Sequence, residues 1–444
     1  MKASRARAAL GGTVASGGML RPHLRSVPLS PIRTSTASHC FVPRRGGPTP
    51  DCLSSSLRAG GLSYRSYSID HKTPKPPPFA FAFDIDGVLL HVAKPIPGAT
   101  KTLEYLQRHN IPFILLTNGG GKHEKERVAD LSDKLGVQLT TENFIQSHTP
   151  FQELVHQHPS PGSSDNQGLR DKNILVTGSD AAKSRTIAEQ YGFRHVITPA
   201  DILAAQPSIW PFDPLLQEIY ASTARPLPAT NPKIDAIFVF NDPRDWALDT
   251  QLIADLLLSE RGVLGTYSAR NGRADLPNRG WQQDGQPALF FSNPDLLWSA
   301  AYHLPRFGQG AFQAAVAGVW REITAGEADL QRTVIGKPHA HTYGFAERVL
   351  NAHRATVLGV PPDSLGALQR VYMVGDNPAS DIRGANEYVS PAGTQWTGVL
   401  VRTGVWSPER GGEPAFAPEV IVDDVQGAVE WALRREGWDG SGRV

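Results

Sequence analysis

Short apolar runs alternate with helical stretches along most of the chain. The run Phe79–Phe83 is followed at once by acidic residues, and Ile111–Leu116 is a second run of buried-strand length. The stretches Thr100–His109 and Lys122–Leu135 predict helices, the second of which stops at Gly136. The order strand, helix, strand, helix predicts a parallel α/β sheet.

The same pattern continues after residues 158–172, a stretch rich in Pro, Gly and Ser that we interpret as a linker or surface loop. Further apolar runs predict the strands of a second, smaller α/β unit at Asn173–Thr177, His195–Ile197, Ile234–Phe240 and Ala288–Phe291. Six prolines in Pro207–Pro232 predict an irregular loop. The first pattern then resumes, with strands at Val371–Val374, Val399–Arg402 and Val420–Val422 and a final helix at Val425–Arg435.

The length of 444 residues suggests two domains with additional segments. An apolar fraction of 40% and a charged fraction of 20% are ordinary for a globular protein. No run approaches the roughly 18 consecutive apolar residues that a membrane-spanning helix needs, so we expect no integral membrane segment.

The charge is distributed unevenly. Residues 1–67 carry ten Lys or Arg and a single acid, which leaves 34 basic and 42 acidic residues in the rest of the chain. An Arg-rich, Ser-rich and nearly acid-free start is typical of a mitochondrial transit peptide, and Arg65 lies three residues before a potential matrix-peptidase cut at Ser68. We therefore predict a mitochondrial protein, with the matrix favoured, and no nucleic-acid partner. The alternative is a disordered tail that carries no address.

Both cysteines, Cys40 and Cys52, lie inside this segment. The mature body would therefore contain neither a disulfide nor a thiol nucleophile, and no Cys-ligated zinc.

Polar residues with chemical potential follow the first two apolar runs. Asp84 and Asp86 come just past the end of a strand, and two carboxylates so close repel each other unless a cation or a proton lies between them. Thr117 and Asn118 follow the second run, where a hydroxyl and backbone N–H groups can bind phosphate oxygens. Either pair alone would also be compatible with a plain turn.

Two further features come later in the chain. Lys337, in Gly-Lys-Pro, could neutralise a developing phosphoryl charge or could be an ordinary solvated lysine. Asp376 and Asp381 lie five residues apart where a strand ends, which suits a hard cation with oxygen ligands. The alternative for Asp381 is that it only caps the helix beginning near Ile382.

Together these features resemble, in order and in strand context, the four motifs of the haloacid dehalogenase superfamily. The resemblance implies a Rossmann-like parallel-sheet core at residues 75–160 and 315–444, with a class IIA (C2-type) α/β cap inserted at residues 161–314. Three segments resemble more closely the cat-eye-syndrome-critical-region protein 5 subfamily, whose members are mitochondrial or presumed so: Phe291–Trp298, Leu304–Phe312 and Gly336–Pro338.

The resemblance implies a role for each motif residue. Asp84 would be the nucleophile that forms an aspartyl-phosphate, and Asp86 the general acid and base. Thr117, the amide of Asn118, and Lys337 would bind the transferring phosphoryl group. Mg²⁺ would be held by Asp84, the backbone carbonyl of Asp86, Asp376 and Asp381, the last directly or through water.

Other residues have weaker patterns. We interpret His339 and His341 as loop residues, because a closed zinc site needs four ligands. Asn293 and Asp295 could contact substrate or act as hinge or capping residues, and Arg244 and Asp245 are candidates for cap specificity. The tryptophans Trp246, Trp298 and Trp320 are interpreted as core or cap-packing residues.

The resulting hypothesis is a Mg²⁺-dependent phosphatase that acts on a small phosphomonoester in mitochondria, for which a glycerophosphate derivative is one candidate. One alternative is a non-catalytic binding or scaffold protein that keeps the fold, against which the intact motifs argue. Another is a phosphotransferase such as a phosphomutase, although nothing in the chain marks a second phosphate site.

Overall fold

The computed structural model describes residues 77–156, 168–179, 181–298, 300, 302, 304–408 and 412–438. The predicted transit peptide, both cysteines and most of the predicted 158–172 linker lie outside these residues. The chain divides into a unit of residues 1–71 and a unit of residues 72–444, and the second contains every described element. Among the described helices, none combines the length and the apolar character required to cross a bilayer.

A six-stranded parallel sheet forms the first layer of the fold. Apolar side chains cover both of its faces, which is why its strands read as short continuous apolar runs. In spatial order its strands are β15 (Val420–Val422), β14 (Gln395–Val401), β13 (Arg370–Gly375), β1 (Phe79–Phe83), β4 (Phe113–Leu116) and β5 (Phe144–Ile145).

Strand alternation assigns the residues of β1 to two separate cores. Phe79, Phe81 and Phe83 belong to the apolar cluster on one face of the sheet, whereas Ala80 and Ala82 belong to the cluster on the other. The helices that contribute to the first cluster are α1 (Ala99–Arg108), α2 (Glu124–Leu135) and α10 (Val425–Arg435). Those that contribute to the second are α8 (Ala340–Leu358) and α9 (Arg383–Glu387). The sheet is thus covered on both sides, as a doubly wound fold requires.

A second parallel sheet, of five strands, is inserted between β5 and α8. Its strands in spatial order are β12 (Thr333–Val334), β9 (Ala288–Phe291), β8 (Ala236–Pro243), β6 (Asn173–Ser179) and β7 (His195–Ile197). Its helices are α3 (Ala181–Tyr191), α4 (Pro199–Ala205), α5 (Gln217–Thr223), α6 (Trp246–Leu258) and α7 (Gln309–Ile323). The predicted fold class, a parallel-sheet core with an inserted α/β unit, is confirmed.

The inserted unit ends later than the boundary of residue 314 proposed from sequence. Helix α7 contributes Phe312, Val316 and Trp320 to the apolar cluster of the inserted sheet, and β12 pairs with β9 at Thr333–Phe290 and Val334–Phe291. Because these contacts belong to the second sheet, the return to the six-stranded unit lies near Ile335.

The prediction of an irregular loop at Pro207–Pro232 was wrong in part, because α5 lies within it and buries Tyr220. The smaller elements are two antiparallel pairs and several short helical turns. The pairs are β2 (Leu90–His91) with β3 (Lys94–Pro95), and β10 (Leu297–Trp298) with β11 (Arg306–Phe307). The turns are Thr141–Asn143, Thr149–Val155, Pro207–Ile209, Pro277–Gly280, Pro362–Ser364 and Pro378–Ile382.

Candidate active site

The carboxyl end of β1 carries Asp84 and Asp86. In the middle of the sheet, Phe83 is in register with Val374 of β13 on one side and Leu115 of β4 on the other. The loops that follow these three strands therefore leave the sheet next to one another. The Asp84 N–H continues the ladder by donating to the Val374 carbonyl oxygen at 2.9 Å, which holds Asp84 beside the loop after β13.

Asp376 lies in that loop, and the two acidic loops approach each other closely. Gly87 adopts a left-handed φ of 87°, and a Cβ at this position would lie 2.4 Å from Asp376 Oδ2. Glycine is therefore required by both the backbone conformation and the space. The same carboxylate oxygen accepts a hydrogen bond from the Val405 N–H at 2.6 Å, which fixes its orientation.

Asp381 lies inside the turn Pro378–Ile382 and is fully buried. Its Oδ2 accepts a hydrogen bond from the Asn377 N–H at 3.0 Å. The cap of this turn is Asn377, whose side chain accepts from the Ala379 N–H at 3.0 Å. The helix that begins at Arg383 has Ile382 as its cap residue and no side-chain cap hydrogen bond, so Asp381 does not cap it.

Lys337 reaches this cluster from the loop before α8. Its side chain is 1% exposed, and its Nζ lies 3.0 Å from Asp84 Oδ1 and 2.6 Å from Asp381 Oδ1. Burial disfavours the charged ammonium, but the charges of Asp381 and Asp84 outweigh it and raise the pKa of Lys337. Lys337 is therefore a buried cation held between two carboxylates rather than a solvated loop residue.

Thr117 and Asn118 follow β4 and are both buried. Thr117 Oγ1 accepts a hydrogen bond from the Gly119 N–H at 3.0 Å, which leaves the hydroxyl proton available to a ligand. The Asn118 side chain joins three segments. It donates to the Lys337 carbonyl oxygen at 2.9 Å and to Asp295 Oδ1 at 3.1 Å, and it accepts from the Lys337 N–H at 2.7 Å.

Three carboxylates, those of Asp84, Asp376 and Asp381, each place an oxygen within 4.8 Å of the others. Burial and the charges of Asp84 and Asp381 raise the pKa of Asp376 well above its usual range. Burial likewise raises the pKa of Asp381 to about 6. The Lys337 charge opposes this increase, and the Asp84 charge contributes to it. The raised pKa values of Asp376 and Asp381 fit a cluster that holds more negative charge than the Lys337 ammonium balances.

Asp86 lies at the cavity side of the same loop. Loss of solvent around the Asp86 carboxyl and the charge of Asp84 raise its pKa, whereas the charges of Arg127, Lys134 and Lys337 lower it. Its side chain is exposed in the cleft, where the neighbouring Asp84 charge contributes to the raised pKa.

A cavity of about 350 Å³ lies over these residues and is lined on the other side by residues of the inserted unit. Of the cap candidates, Arg244, Asn293 and Asp295 line it. Asp245 does not: it is 2% exposed, and its side chain accepts from the Leu248 N–H at the start of α6. Burial raises the pKa of Asp295 to about 7, against the opposing effects of Lys337 and the Asn118 hydrogen bond.

Several cavity residues were missed or misassigned from sequence. Lys122 and Arg127 line the cavity, although their only sequence signal is that they follow Thr117 closely. Trp298 also lines it and is 49% exposed, so its interpretation as a packing residue was wrong. Trp320, at 2% exposed, does pack in the core of the inserted unit.

The histidines near Lys337 do not form a metal site. His339 precedes α8, and His341 Nε2 lies 3.9 Å from Glu153. Within the described residues, the trio of Asp84, Asp376 and Asp381 is the one group of three or more potential ligands that converge.

Two family profiles match this chain. The profile described as haloacid dehalogenase-like hydrolase matches residues 81–194, which include Asp84, Asp86, Thr117 and Asn118. The profile described as HAD-hydrolase-like matches residues 334–428, which include Lys337, Asp376 and Asp381. The two matches flank the inserted unit and together contain the whole cluster.

Full-length similarity extends to fungal proteins. A mitochondrial hydrolase of Saccharomyces cerevisiae is 40% identical over 80% of this chain and 96% of its own. A cardiolipin synthase (CMP-forming)/mitochondrial hydrolase fusion protein of Schizosaccharomyces pombe is 39% identical over 85% of this chain, which spans only 57% of that relative. Among solved structures, a 4-nitrophenylphosphatase of Thermotoga maritima matches with 16% identity, a TM-score of 0.49, and 79% of this chain and 96% of that one covered. On the strength of the sequence relatives, the chain belongs to the haloacid dehalogenase-like hydrolases.

Proposed function

We propose that this hydrolase is a Mg²⁺-dependent phosphatase that cleaves a small phosphomonoester through an aspartyl-phosphate on Asp84. The observation that carries the proposal is the placement of Lys337 Nζ 3.0 Å from Asp84 and 2.6 Å from Asp381, beside a third buried carboxylate. This arrangement places an ammonium beside the nucleophile, where it would contact a phosphoryl oxygen.

The residues fit a magnesium ion. The donors of Asp84, Asp376 and Asp381 are hard carboxylate oxygens, and separations within 4.8 Å suit ligands of one octahedral cation whose other positions are filled by water or substrate. The raised pKa values of Asp376 and Asp381 support this fit, because they reflect negative charge that Lys337 alone does not balance. A bound Mg²⁺ would supply the missing positive charge and polarise the phosphoryl oxygens.

In the proposed reaction, an Asp84 carboxylate oxygen attacks phosphorus in line, and the bond from phosphorus to the alcohol oxygen breaks. Lys337 orients Asp84 and neutralises a phosphoryl oxygen. The Thr117 hydroxyl and the Asn118 backbone N–H donate to the other oxygens. The Asn118 side chain, bonded to both backbone groups of Lys337, keeps the two phosphate-binding loops in register.

Asp86 would move the protons. Its raised pKa leaves a larger protonated fraction near neutral pH than an ordinary aspartate has, so it can donate a proton to the departing alkoxide. The resulting carboxylate then takes a proton from the water that attacks the acyl phosphate, which releases inorganic phosphate and restores Asp84.

The test is phosphate release from 4-nitrophenyl phosphate and glycerol 3-phosphate, with and without Mg²⁺, together with trapping of the acyl phosphate by hydroxylamine. We expect turnover and trapping that depend on Mg²⁺ and vanish in Asp84→Asn. Phosphate release that survives this substitution at the wild-type rate would refute the mechanism.

We further propose that the protein acts in mitochondria, in metabolism related to glycerophospholipids. The support is the composition of residues 1–67, the name of the Saccharomyces cerevisiae relative, and the fusion to a cardiolipin synthase in the Schizosaccharomyces pombe relative. A fluorescent reporter fused to residues 1–67 should enter the mitochondrial matrix. A reporter that stays in the cytosol would contradict the location.

A further inference from the structure

The described residues between 296 and 307 (296–298, 300, 302 and 304–307) contain the β10–β11 pair, are called here the apolar hairpin, and expose an unusual amount of apolar surface. Six of the fourteen exposed large apolar side chains in the described residues belong to it. They are Leu296 (55% exposed), Leu297 (44%), Trp298 (49%), Tyr302 (54%), Leu304 (51%) and Phe307 (69%). Contiguous exposed apolar side chains of this kind are uncommon on a protein surface and mark a binding site more often than chance.

This surface is continuous with the cavity over Asp84. Leu297 and Trp298 line that cavity, and the other exposed apolar side chains belong to the same hairpin. The base of the hairpin is fixed: Asp295, directly before it, accepts hydrogen bonds from the Asn118 side chain, and the Gly308 N–H donates to the Leu296 carbonyl oxygen at 2.9 Å. The apolar surface therefore begins one residue from a contact of the phosphate-binding loop.

The charge of the segment also restricts its ligand. Residues 296–307 contain no Asp or Glu, and the guanidinium of Arg306 lies 4.7 Å from the centre of the Tyr302 ring. Within the hairpin itself, no acidic side chain opposes the approach of an anionic ligand. A bilayer or a second copy of the chain would not require Leu297 and Trp298 to line a cavity that ends at Asp84, so the continuity favours a group attached to the substrate.

We infer that the apolar hairpin binds the leaving alcohol of the substrate, and that this alcohol carries an alkyl or acyl chain. The inference rests on the proposed phosphatase function and names its substrate class: a single-chain amphipathic phosphomonoester. Attack by Asp84 breaks the bond between phosphorus and the alcohol oxygen and releases the amphipathic alcohol, and water then cleaves the acyl phosphate to release inorganic phosphate. The hairpin determines specificity and takes no part in bond cleavage.

The experiment is a series of n-alkyl phosphates from ethyl to dodecyl, assayed with Mg²⁺ below their micelle concentrations. Complete burial of one methylene corresponds to about a fourfold gain, and on a half-open surface we expect kcat/KM to rise about twofold for each methylene. The change should lie in KM, because the chain contacts protein before and after the chemical step alike.

Variants of the outer hairpin isolate the chain-binding surface from the cavity. Phe307→Ser and Leu304→Ser should lower kcat/KM for octyl to dodecyl phosphate about fivefold to tenfold. Neither residue lines the cavity, so kcat/KM for ethyl phosphate should not change. The matched control is Phe212→Ser, which removes an aromatic ring of nearly equal exposure, 67%, from another part of the inserted unit. The control should keep the full rise.

The outcomes separate the two proposals. If ethyl and 4-nitrophenyl phosphate are hydrolysed but kcat/KM is independent of chain length, the inference is wrong and the phosphatase proposal stands. If no ester is hydrolysed, the phosphatase proposal fails, and the same series titrated by calorimetry decides the inference: affinity independent of chain length overturns it. The inference is also overturned if kcat/KM does not depend on chain length and the hairpin variants lose binding to phosphatidylcholine vesicles, which would identify a bilayer as the ligand. Loss of dimerisation in sedimentation by the same variants would instead identify a second copy of the chain.

Discussion

Replacement of Lys337 by Met tests the charge balance of the site most directly. Met keeps most of the apolar stem of the side chain and removes the ammonium that lies 3.0 Å from Asp84 and 2.6 Å from Asp381. Because Lys337 is 1% exposed and Asp381 fully buried, solvent cannot replace the lost charge. Two buried carboxylates then lack their cation.

The size of the effect follows from this burial. Removing one partner of a buried ion pair costs about 3–5 kcal/mol of the free energy of unfolding. The loss must depend on pH in one direction. The pKa of Asp381 is about 6, and Lys337 lowers it. The ion pair between Lys337 and Asp381 therefore stabilises the folded state above pH 6. Below pH 6 Asp381 becomes protonated, and this stabilisation is lost. The loss of unfolding free energy in Lys337→Met should therefore be largest near pH 8 and become smaller toward pH 5.

Bound Mg²⁺ should restore part of the stability that Lys337→Met loses. A cation bound by the three carboxylates stabilises the folded state in proportion to the logarithm of its concentration above Kd. Lys337→Met should therefore gain more thermal stability from millimolar Mg²⁺ than the wild type does. Activity should not return, because loss of a charge that contacts the phosphoryl group costs about 100-fold to 1000-fold in kcat.

The assay is thermal unfolding between pH 5 and 8, with and without Mg²⁺, paired with phosphate release. Lys233→Met is the matched control, because the Lys233 side chain is 55% exposed in its pair with Asp235 and should contribute at most about 1 kcal/mol. The reasoning is refuted if both variants unfold alike, or if the deficit of Lys337→Met grows as the pH falls.

Three further predictions follow from the same structure. Asp84→Asn should keep the melting temperature within a few degrees while phosphate release and acyl-phosphate trapping disappear; retained trapping would exclude Asp84 as the nucleophile. Asp376→Ala should lose nearly all activity at any Mg²⁺ concentration, whereas Asp381→Ala should recover part of it when Mg²⁺ is raised; Mg²⁺ titrations that show equal, unrescued losses would contradict this ranking. Burial raises the pKa of Asp249 to about 7. Between about pH 4 and 7 the folded protein therefore binds more protons at Asp249 than the unfolded chain does, and stability falls as the pH rises through that range. Asp249→Asn should flatten this dependence, by at most about 4 kcal/mol in the free energy of unfolding, and unchanged pH profiles from denaturant titrations would exclude the assignment.

The sequence was most informative where a strand is short, apolar and followed by polar residues. The predicted bounds of β1, β7, β9 and β15 and of the final helix agree with the structure. Most of their apolar residues pack in the cores of the two sheets, which impose the apolar pattern. The four motifs were readable for a related reason: each polar group must follow directly on a buried strand or precede a buried helix in order to reach one edge of the sheet.

The features that sequence did not predict depend on partners distant in the chain. β12 has only two residues, Thr333 and Val334, and exists because it pairs with β9, so no local pattern marks the end of the inserted unit. Trp298 was assigned to packing because a tryptophan is more often buried than exposed. Its exposure results from the position of the β10–β11 pair over the cavity, which is a property of the assembled fold.

The arrangement around Asn118 explains why the inserted unit and the chemistry cannot be separated. One side chain bonds to both backbone groups of Lys337 and to Asp295, while the Asn293 side chain donates to the Asn118 carbonyl oxygen at 3.0 Å. The loop after β4, the loop of Lys337 and the return from the inserted sheet thus share one set of buried and partly buried hydrogen bonds. Because an unsatisfied buried polar group costs about 1–3 kcal/mol, displacement of any of these segments leaves the others without partners. The segment that carries the apolar hairpin is therefore tied to the atoms that position Lys337, and the surface proposed to select the alcohol is held in register with the group proposed to bind its phosphate.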